Sequence, residues 1–417
     1  MKDVQLQSVS VNKNRVDYFY RASEELAGFF CEKTMFVEYT TRVDGVPKSI
    51  LAIPFVANVL PVIWLTDGIL WIEEIDRTFY ECLHRLKAAF QDLYPGVRLG
   101  GRVIAAKLVE NTYSPSREAL LLFSGGLDAH VSYLRLQNKK PLLLNIQGWY
   151  GSAPDEQRCR AAQADRADID RFARQQSVEF EFVKSNFAVF INAALFDRKY
   201  HRMLGDSLWH GFQHSMNFIT IAMPIAYIKG IRSIYIASSF SLGHVGQCAS
   251  YPTTDNEYKF AQNGRCVHDA FELSRQEKVH YLVDYQKKSG KPYPIRVCSF
   301  NAVNCCQCDK CLRTVLEIVA ENGNVADFGF PIQGSLREYY SEVMARKIIQ
   351  FDVEGESRKV WWPDSIERMK QNYDFLDQKD FVDWFLGFDF KKARKKAVYR
   401  YYRKDFFQIL KRKITGK

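Results

Sequence analysis

The sequence predicts an α/β protein built on a parallel sheet flanked by helices, and three features of its 417 residues carry that expectation. Between residues 119 and 238, short apolar runs alternate with helix-length segments, the pattern of a parallel sheet with helices on both faces. The first of these runs enters Ser124-Gly125-Gly126-Leu127-Asp128-Ala129, a turn with two adjacent glycines at the start of a predicted helix. Farther on, Cys298, Cys305, Cys308 and Cys311 stand in a Cys-x6-Cys-x2-Cys-x2-Cys array, the spacing of a metal knuckle. The expected organisation is an N-terminal α+β unit over 1–115, the sheet region with its knuckle (298–311) over 116–322, and a helical C-terminal segment over 323–417.

From residue 34 to 76 the chain reads as strands, at Met35–Tyr39, Ile50–Val56, Val62–Leu65 and Ile69–Ile75, with turn signals at Asp44-Gly45 and Asp67-Gly68. The most apolar segment, Ile50–Leu65, is interrupted by Pro54, Asn58 and Pro61 and is shorter than the roughly 18 residues of a membrane helix. Two short buried strands are expected there, and no transmembrane segment. A helix over 78–93 and a strand near Val103–Val109 complete the unit, which shows no catalytic constellation; binding a partner, shaping the active site and dimerisation all remain open to it. In the sheet region the expected strands are 119–123, 141–147, 178–184 and 232–238, and the expected helices 128–137, 155–175 and 215–229. Ligands of such sheets bind at the carboxyl ends of the strands, which places Ser124 and Ser238-Ser239 on one edge.

Gly125 and Gly126 let the backbone approach a polyanion with no Cβ in the way, so that amide N–H groups and the helix N-terminus can converge on phosphate oxygens. Ser124 would add a hydroxyl donor, and Asp128 would orient the helix start or help hold Mg2+. The spacing is not that of a Walker A loop, which needs a lysine. A nucleotide base is expected near Asn145-Ile146-Gln147, where Gly148 either permits close approach or simply turns the chain. Four thiolates of the knuckle can enclose one tetrahedral zinc ion with no position left for water, which makes the site structural; Cys306 could replace Cys305 as a ligand. Lys310 and Arg313 would offset its negative charge.

Ser-Gly-Gly-x-Asp after an apolar strand resembles the PP-loop of the ATP pyrophosphatase superfamily. With the cysteine array and Leu312-Arg313 downstream, residues 118–322 resemble the 7-cyano-7-deazaguanine synthase (QueC) family. That resemblance implies an adenine nucleotide alpha hydrolase-like fold and an ATP-dependent ligase that adenylates a carboxylate, releases pyrophosphate and joins the acyl group to ammonia or an amine. It implies ATP bound by Ser124, Gly125, Gly126, Leu127 and Asp128, with Ser124 and Asp128 catalytic. Ser274-Arg275-Gln276-Glu277 stands where the family has Thr-Lys-x-Glu, so Arg275 would touch phosphate or the acyl-adenylate, unless it is a solvated arginine beside a helix-capping serine. The chain departs from the family at Ala129, usually serine, at Thr253-Thr254-Asp255 in place of Asp-Cys-Arg after Tyr251-Pro252, and at Gln213-His214-Ser215 in place of Gly-Arg-Asn. Enlarged relatives occur in bacterial antiphage defence, where such a site is redirected to a protein amine.

Composition limits the remaining classes. The five cysteines outside the 298–311 cluster are scattered, which indicates reduced thiols and a cytoplasmic protein rather than a disulfide framework. The polar start, Met1-Lys-Asp-Val-Gln-Leu-Gln, has no signal-peptide character. The net charge of +10 is concentrated in residues 391–417, which hold twelve Lys or Arg against Asp405 alone. This tail fits an amphipathic helix meeting RNA, anionic membrane or an acidic protein acceptor, or a terminal helix docked by its aromatic side. Trp361-Trp362-Pro363 and Phe375–Phe390 read as core packing. His210, His214, His244 and His268 lack mutual ligand spacing and are given no catalytic role. Two further readings stand beside the ligase: an RNA base-modifying enzyme whose basic tail holds the RNA, and a non-catalytic nucleotide sensor or scaffold.

Overall fold

The structure, a computed structural model, describes residues 2–148, 155–243, 246–298, 301, 303–348 and 361–400. The chain divides into two compact units, Met1–Glu272 and Leu273–Lys417.

The first unit is organised by one sheet of eleven strands: β1 (Asp3–Asn12), β2 (Arg15–Ala22), β3 (Thr34–Tyr39), β4 (Ile69–Asp76), β5 (Arg102–Val109), β6 (Arg117–Leu122), β7 (Leu142–Gln147), β8 (Phe180–Ser185), β9 (Ile231–Ala237), β10 (Lys259–Phe260) and β11 (Gly264–Asp269). Their spatial order is β10-β11-β9-β6-β7-β8-β3-β2-β1-β4-β5. The five strands β11-β9-β6-β7-β8 are mutually parallel, as the alternation of strand and helix predicts. Their connecting helices, Leu127–Leu136, Asp155–Gln176 and His214–Ile228, fall within a residue of the expected limits.

The N-terminal strands do not form a sheet of their own. β3 joins β8 antiparallel, with Val37 opposite Ser185, so the sheet runs through residue 115 without a break and the chain divides at 272/273 instead. Residues 3–22, for which the sequence gives no element, form a hairpin whose Val4, Leu6, Val16 and Tyr18 face the core. Its tight turn carries Lys13 at φ 55 in place of the usual Gly, which removes the hairpin signal.

The two strands expected in Ile50–Leu65 are corrected to helix. Lys48–Leu51 and Ile53–Thr66 form nearly continuous helical turns. Pro54 sits in a first turn, where its missing N–H has no intrahelical partner to lose, and only Pro61 is interior. A helix that is apolar all round has no 3.6-residue period to betray it. By length and composition Lys48–Thr66 could cross a membrane, yet 94% of its apolar window is buried inside the protein. Asn58, in its middle, donates to Phe187 O (3.2 Å) and accepts from Gln213 Nε2 (3.1 Å), a polar contact made within the fold.

The second unit is helical: Arg275–Ser289, Asp309–Ala320, Leu336–Lys347, Trp361–Gln371 and Lys379–Leu386. Trp362 is buried and its indole donates to Asp309 Oδ1 (2.9 Å), while Tyr340, Phe381 and Phe385 pack ring against ring, so these four rings serve the core; Phe375, expected there too, is exposed. Of the basic tail, residues 391–400 are helical and 401–417 lie outside the described residues, as does His244.

Candidate functional site

In the parallel part of the first unit, the chain steps from β6 through β7 to β8 in one direction and places β9 and β11 on the other side of β6. Such a reversal opens a crevice at the carboxyl ends of the two adjoining strands, here β6 and β9. Ser124-Gly125-Gly126 leaves the carboxyl end of β6, and Ser238 leaves that of β9.

Each residue of the glycine turn is held by a distinct contact. Phe123 N–H continues the ladder to Leu144 O (2.8 Å), and Asn145 Nδ2 donates to Phe123 O (3.1 Å). Ser124 then faces solvent, and its Oγ lies 3.4 Å from the Gly126 amide. Gly125 has φ 74, and a Cβ there would meet Asp168 Oδ2 at 2.8 Å, so both conformation and space favour glycine. Gly126 is the N-cap of the Leu127–Leu136 helix and its carbonyl accepts the His130 amide (3.0 Å). Leu127 anchors the turn in the core, and Asp128 stands half-buried in the first helical turn, where the helix dipole favours an acid. Ala129 is buried, so its methyl group points into the protein.

Two supporting residues have no signature in the sequence. His130 lies beneath the turn with its ring edge-on to Phe172 (4.6 Å) and Phe123 (5.0 Å). Burial pushes its imidazole down to about 3, so it is neutral, and it hydrogen-bonds the Gly125 backbone. Asp168, on the Asp155–Gln176 helix, is buried against Gly125 and ion-paired with Arg171. The facing wall is tied to the Leu127–Leu136 helix: Ser132 Oγ donates to Asp269 Oδ2 (2.6 Å), Arg135 pairs with Asp269 (3.2 Å), and the Ser238 amide donates to Asp269 O (2.9 Å).

Other candidate residues are placed differently from the expectation. Gly148 has φ 109, and a Cβ on it would overlap Ser185 O at 1.8 Å; its freedom is used to pack β7 against β8. Asp255, where the resembled family has arginine, is fully buried, accepting from Ser250 Oγ (2.7 Å) and paired with His268 Nδ1 (2.8 Å). Gln213 is buried and bonded to Asn58 and Phe187 O, and Ser215 is buried as well.

In the second unit Ser274 and Glu277 form a reciprocal capping box, as the sequence suggests. Arg275 is not solvated. Its Nε bonds Glu317 Oε1 (2.7 Å) and its NH2 group Thr314 Oγ1 (3.0 Å), which braces the Arg275–Ser289 helix against Asp309–Ala320.

The knuckle of that unit converges as its spacing predicts. The sulfurs of Cys298, Cys305, Cys308 and Cys311 all lie within 4.8 Å of one another, close enough to hold a metal ion such as zinc. The Cys305 amide donates to Cys298 Sγ (3.1 Å), and the Gln307 amide to Cys305 Sγ (3.5 Å), bonds that orient thiolate ligands. Cys306 is not the fourth ligand. It occupies the left-handed turn at φ 54 with its sulfur directed to Asn304 O (3.6 Å), and burial pushes its thiol up to about 12. Asn304 pins the loop by accepting from Val297 N and donating to Ile295 O and Gly329 O.

In comparison with known proteins, the chain matches no family model and no curated protein. What stands on fold and site together is an α/β protein with a mostly parallel sheet, a glycine turn at the sheet's reversal point and a four-cysteine metal-competent cluster.

Proposed function

We propose that the protein is an ATP-dependent ligase that adenylates a carboxylate of the deazaguanine class, releases pyrophosphate and joins the acyl group to ammonia or an amine. The observation that supports it most is the position of Ser124–Asp128 at the carboxyl end of β6, beside β9, with Gly125 at φ 74, a conformation that favours glycine. The Ser124 hydroxyl and the amides of Gly125, Gly126 and Leu127 would hold the β- and γ-phosphates, and Asp128 would hold Mg2+ or the helix start. A carboxylate oxygen then attacks the α-phosphorus, and the bond to the pyrophosphate oxygen breaks. An amine next attacks the acyl carbon and AMP leaves with the electron pair of the C–O bond. Positioning and charge neutralisation carry such a step without a dedicated base. Because Ala129 is buried, a serine hydroxyl there would not lie on the open side of the turn, so its absence is compatible with this reading. The resemblance of residues 118–322 to 7-cyano-7-deazaguanine synthases supplies the substrate class. The four cysteines would hold a structural zinc ion in the second unit.

The test is to incubate the protein with α-labelled ATP, Mg2+ and 7-carboxy-7-deazaguanine, with and without ammonia. AMP and pyrophosphate formed only with the carboxylate, and lost in Asp128→Ala, are the expected result. ATP that binds but yields no AMP with any carboxylate of this class would overturn the reading in favour of a nucleotide sensor.

A further inference from the structure

Cys248 lies in the loop that follows β9, buried, at a place where sequence spacing shows only a scattered thiol. In the folded chain it faces two imidazoles. His214 Nε2 is 3.7 Å from its sulfur, and the rings of His214 and His210 lie 6.1 Å apart and nearly parallel. Both tautomers are fixed by the other ring nitrogen. His214 Nδ1 donates to Trp209 O (3.0 Å), and His210 Nδ1 to the carboxylate of Asp206 (2.9 Å), so on each ring Nε2 is the nitrogen left to exchange a proton. The Ala249 amide, next to Cys248, donates to His210 O (2.9 Å) and holds the loop in register with the histidines.

The backbone that carries the histidines is unusual. Trp209–Gln213 is a π-helical turn, a rare form found often at functional sites. It depends on Gly211, where a Cβ would meet Tyr94 Oη at 2.6 Å. Tyr94 in turn donates to Gly211 O (3.1 Å) and to Asp206 Oδ2 (3.2 Å), while the Ser207 amide donates to Asp206 Oδ1 (2.7 Å), so the carboxylate behind His210 is itself oriented. A cysteine, a base and a group that orients the base make up the constellation of an activated nucleophile.

We propose that Cys248 is a nucleophile, with His214 as the base at its sulfur and Asp206–His210 as the second, oriented imidazole, and that it takes an acyl group from an activated carboxyl compound as a thioester. The electrostatics agree. Burial alone would push the Cys248 thiol up, but hydrogen bonding and charge from His210 and His214 reverse this and bring it down to about 6. Hydrogen bonding to Asp206, then to Cys248, lifts His210 to about 10. The groups around the sulfur that bear on its charge are those two histidines, Asp206 behind His210, and Tyr94 from the end of the Arg77–Leu93 helix. The His210 side chain beside the buried sulfur is 45% exposed. The geometry is not a second metal centre: among the described residues only the 298–311 cysteines bring three or more ligand atoms within reach of one ion.

The step balances without a co-reactant. The thiol proton passes to His214 Nε2, the sulfur attacks the carbonyl carbon, a C–S bond forms, and the C–O bond to the leaving group breaks with its electron pair on oxygen. The leaving oxygen takes that proton from His214; an amine or water then attacks the thioester, its proton goes to the freed His214 Nε2, and sulfur leaves as thiolate. The nucleophile does not depend on adenylation; an acyl-adenylate as its donor would rest on the ligase reading.

Two measurements on the intact protein test this. Iodoacetamide labelling read by peptide mass spectrometry from pH 5 to 9 is expected to modify Cys248 with a midpoint near 6. His214→Gln is expected to slow it at pH 7 by about tenfold, as the thiolate fraction falls toward that of an ordinary thiol. The second measurement uses p-nitrophenyl acetate, expected to give a burst of one p-nitrophenolate per chain that Cys248→Ala abolishes. A Cys248 that stays unlabelled in the native protein, or labels with an ordinary midpoint near 8.5, overturns the proposal without any variant being made. A burst without AMP formation from ATP and the deazaguanine carboxylate would keep the nucleophile and discard the adenylation reading. AMP formation without labelling or burst would do the reverse.

Discussion

The loops that follow β6 and β9 leave neighbouring strands of one sheet, and the histidines associated with them are held in opposite electrical states. Beneath the glycine turn, His130 is walled in by Phe123 and Phe172 and is neutral, because burial pushes its pKa down to about 3. Beside the second loop, His210 faces a carboxylate and a thiol, and hydrogen bonding to Asp206 raises it to about 10. The same side chain is thus a structural prop in one place and part of a charged relay in the other. The difference lies in what surrounds the ring: aromatic faces cannot stabilise an imidazolium as a carboxylate can. Neither role follows from the presence of a histidine.

The largest effect that sharpens this comparison is expected outside the first unit. Cysteine is the reactive group in both the knuckle and the second loop, but four converging sulfurs can together hold a metal ion, whereas the sulfur of Cys248 faces imidazoles instead. Cys311→Ser is expected to reduce bound zinc from one per chain to none, and to unfold the second unit, since metal binding of this kind is worth about 10 kcal/mol or more. Elemental analysis and far-UV circular dichroism read both. Cys248 labelling should not change; if it falls with the zinc, the two thiol environments are not independent.

Next comes Gly125→Ala. The added methyl group must tolerate φ 74 and displace the Asp168 carboxylate at 2.8 Å. About 2 kcal/mol of stability is expected to be lost, from backbone strain of roughly 1–3 kcal/mol. ATP affinity should drop by at least tenfold, because the turn no longer presents its amides. A variant that binds ATP normally would show that the turn is only a turn.

The sheet region was legible because its strands and helices alternate with clear punctuation, and the knuckle because all four ligands lie within one short stretch whose turn geometry suffices to bring them together. The supports of the glycine turn were not legible. Asp168 stands forty residues beyond Asp128 on a helix whose face is set only by folding, and His130, two residues on, reveals its buried state only once Phe172 is in place. Asp206, His210, His214 and Cys248 were harder still, since a π-turn, the His214–Ile228 helix, β9 and a loop intervene and no spacing rule links them. The buried helix through Ile53–Thr66 misled in the other direction, its prolines and uniform apolarity imitating strands. Local chemistry can be read from order along the chain; chemistry assembled across elements needs the fold.

The opposite states of the two histidines have opposite consequences for stability with pH. His130 is depressed from its ordinary 6.5, so its contribution is fully present above pH 6.5 and is lost as pH falls toward 3, because only the unfolded chain takes up the proton. Between pH 7.5 and 5 this amounts to about 2 kcal/mol, from 1.36 kcal/mol per unit. His210 is raised, so its contribution is present below pH 6.5 and fades as pH climbs toward 10. Urea midpoints measured across this range are expected to flatten on the acid side in His130→Gln and on the alkaline side in His210→Gln. Identical slopes in both variants would break the comparison.

The smallest effect separates architecture from relay within the second loop's surroundings. Tyr94→Phe removes the hydroxyl that donates to Asp206 Oδ2 and Gly211 O but leaves the ring stacked on Phe212 at 5.1 Å. Loss of these bonds from a buried position is expected to cost about 1 kcal/mol in thermal or urea unfolding. Asp206 keeps the Ser207 amide and still faces His210, so the carboxylate continues to hold the imidazole. Cys248 labelling at pH 7 should therefore change by less than about twofold, against the tenfold expected for His214→Gln. If Tyr94→Phe slows labelling as much as His214→Gln does, the tyrosine hydroxyl belongs to the proton path and does more than brace Asp206.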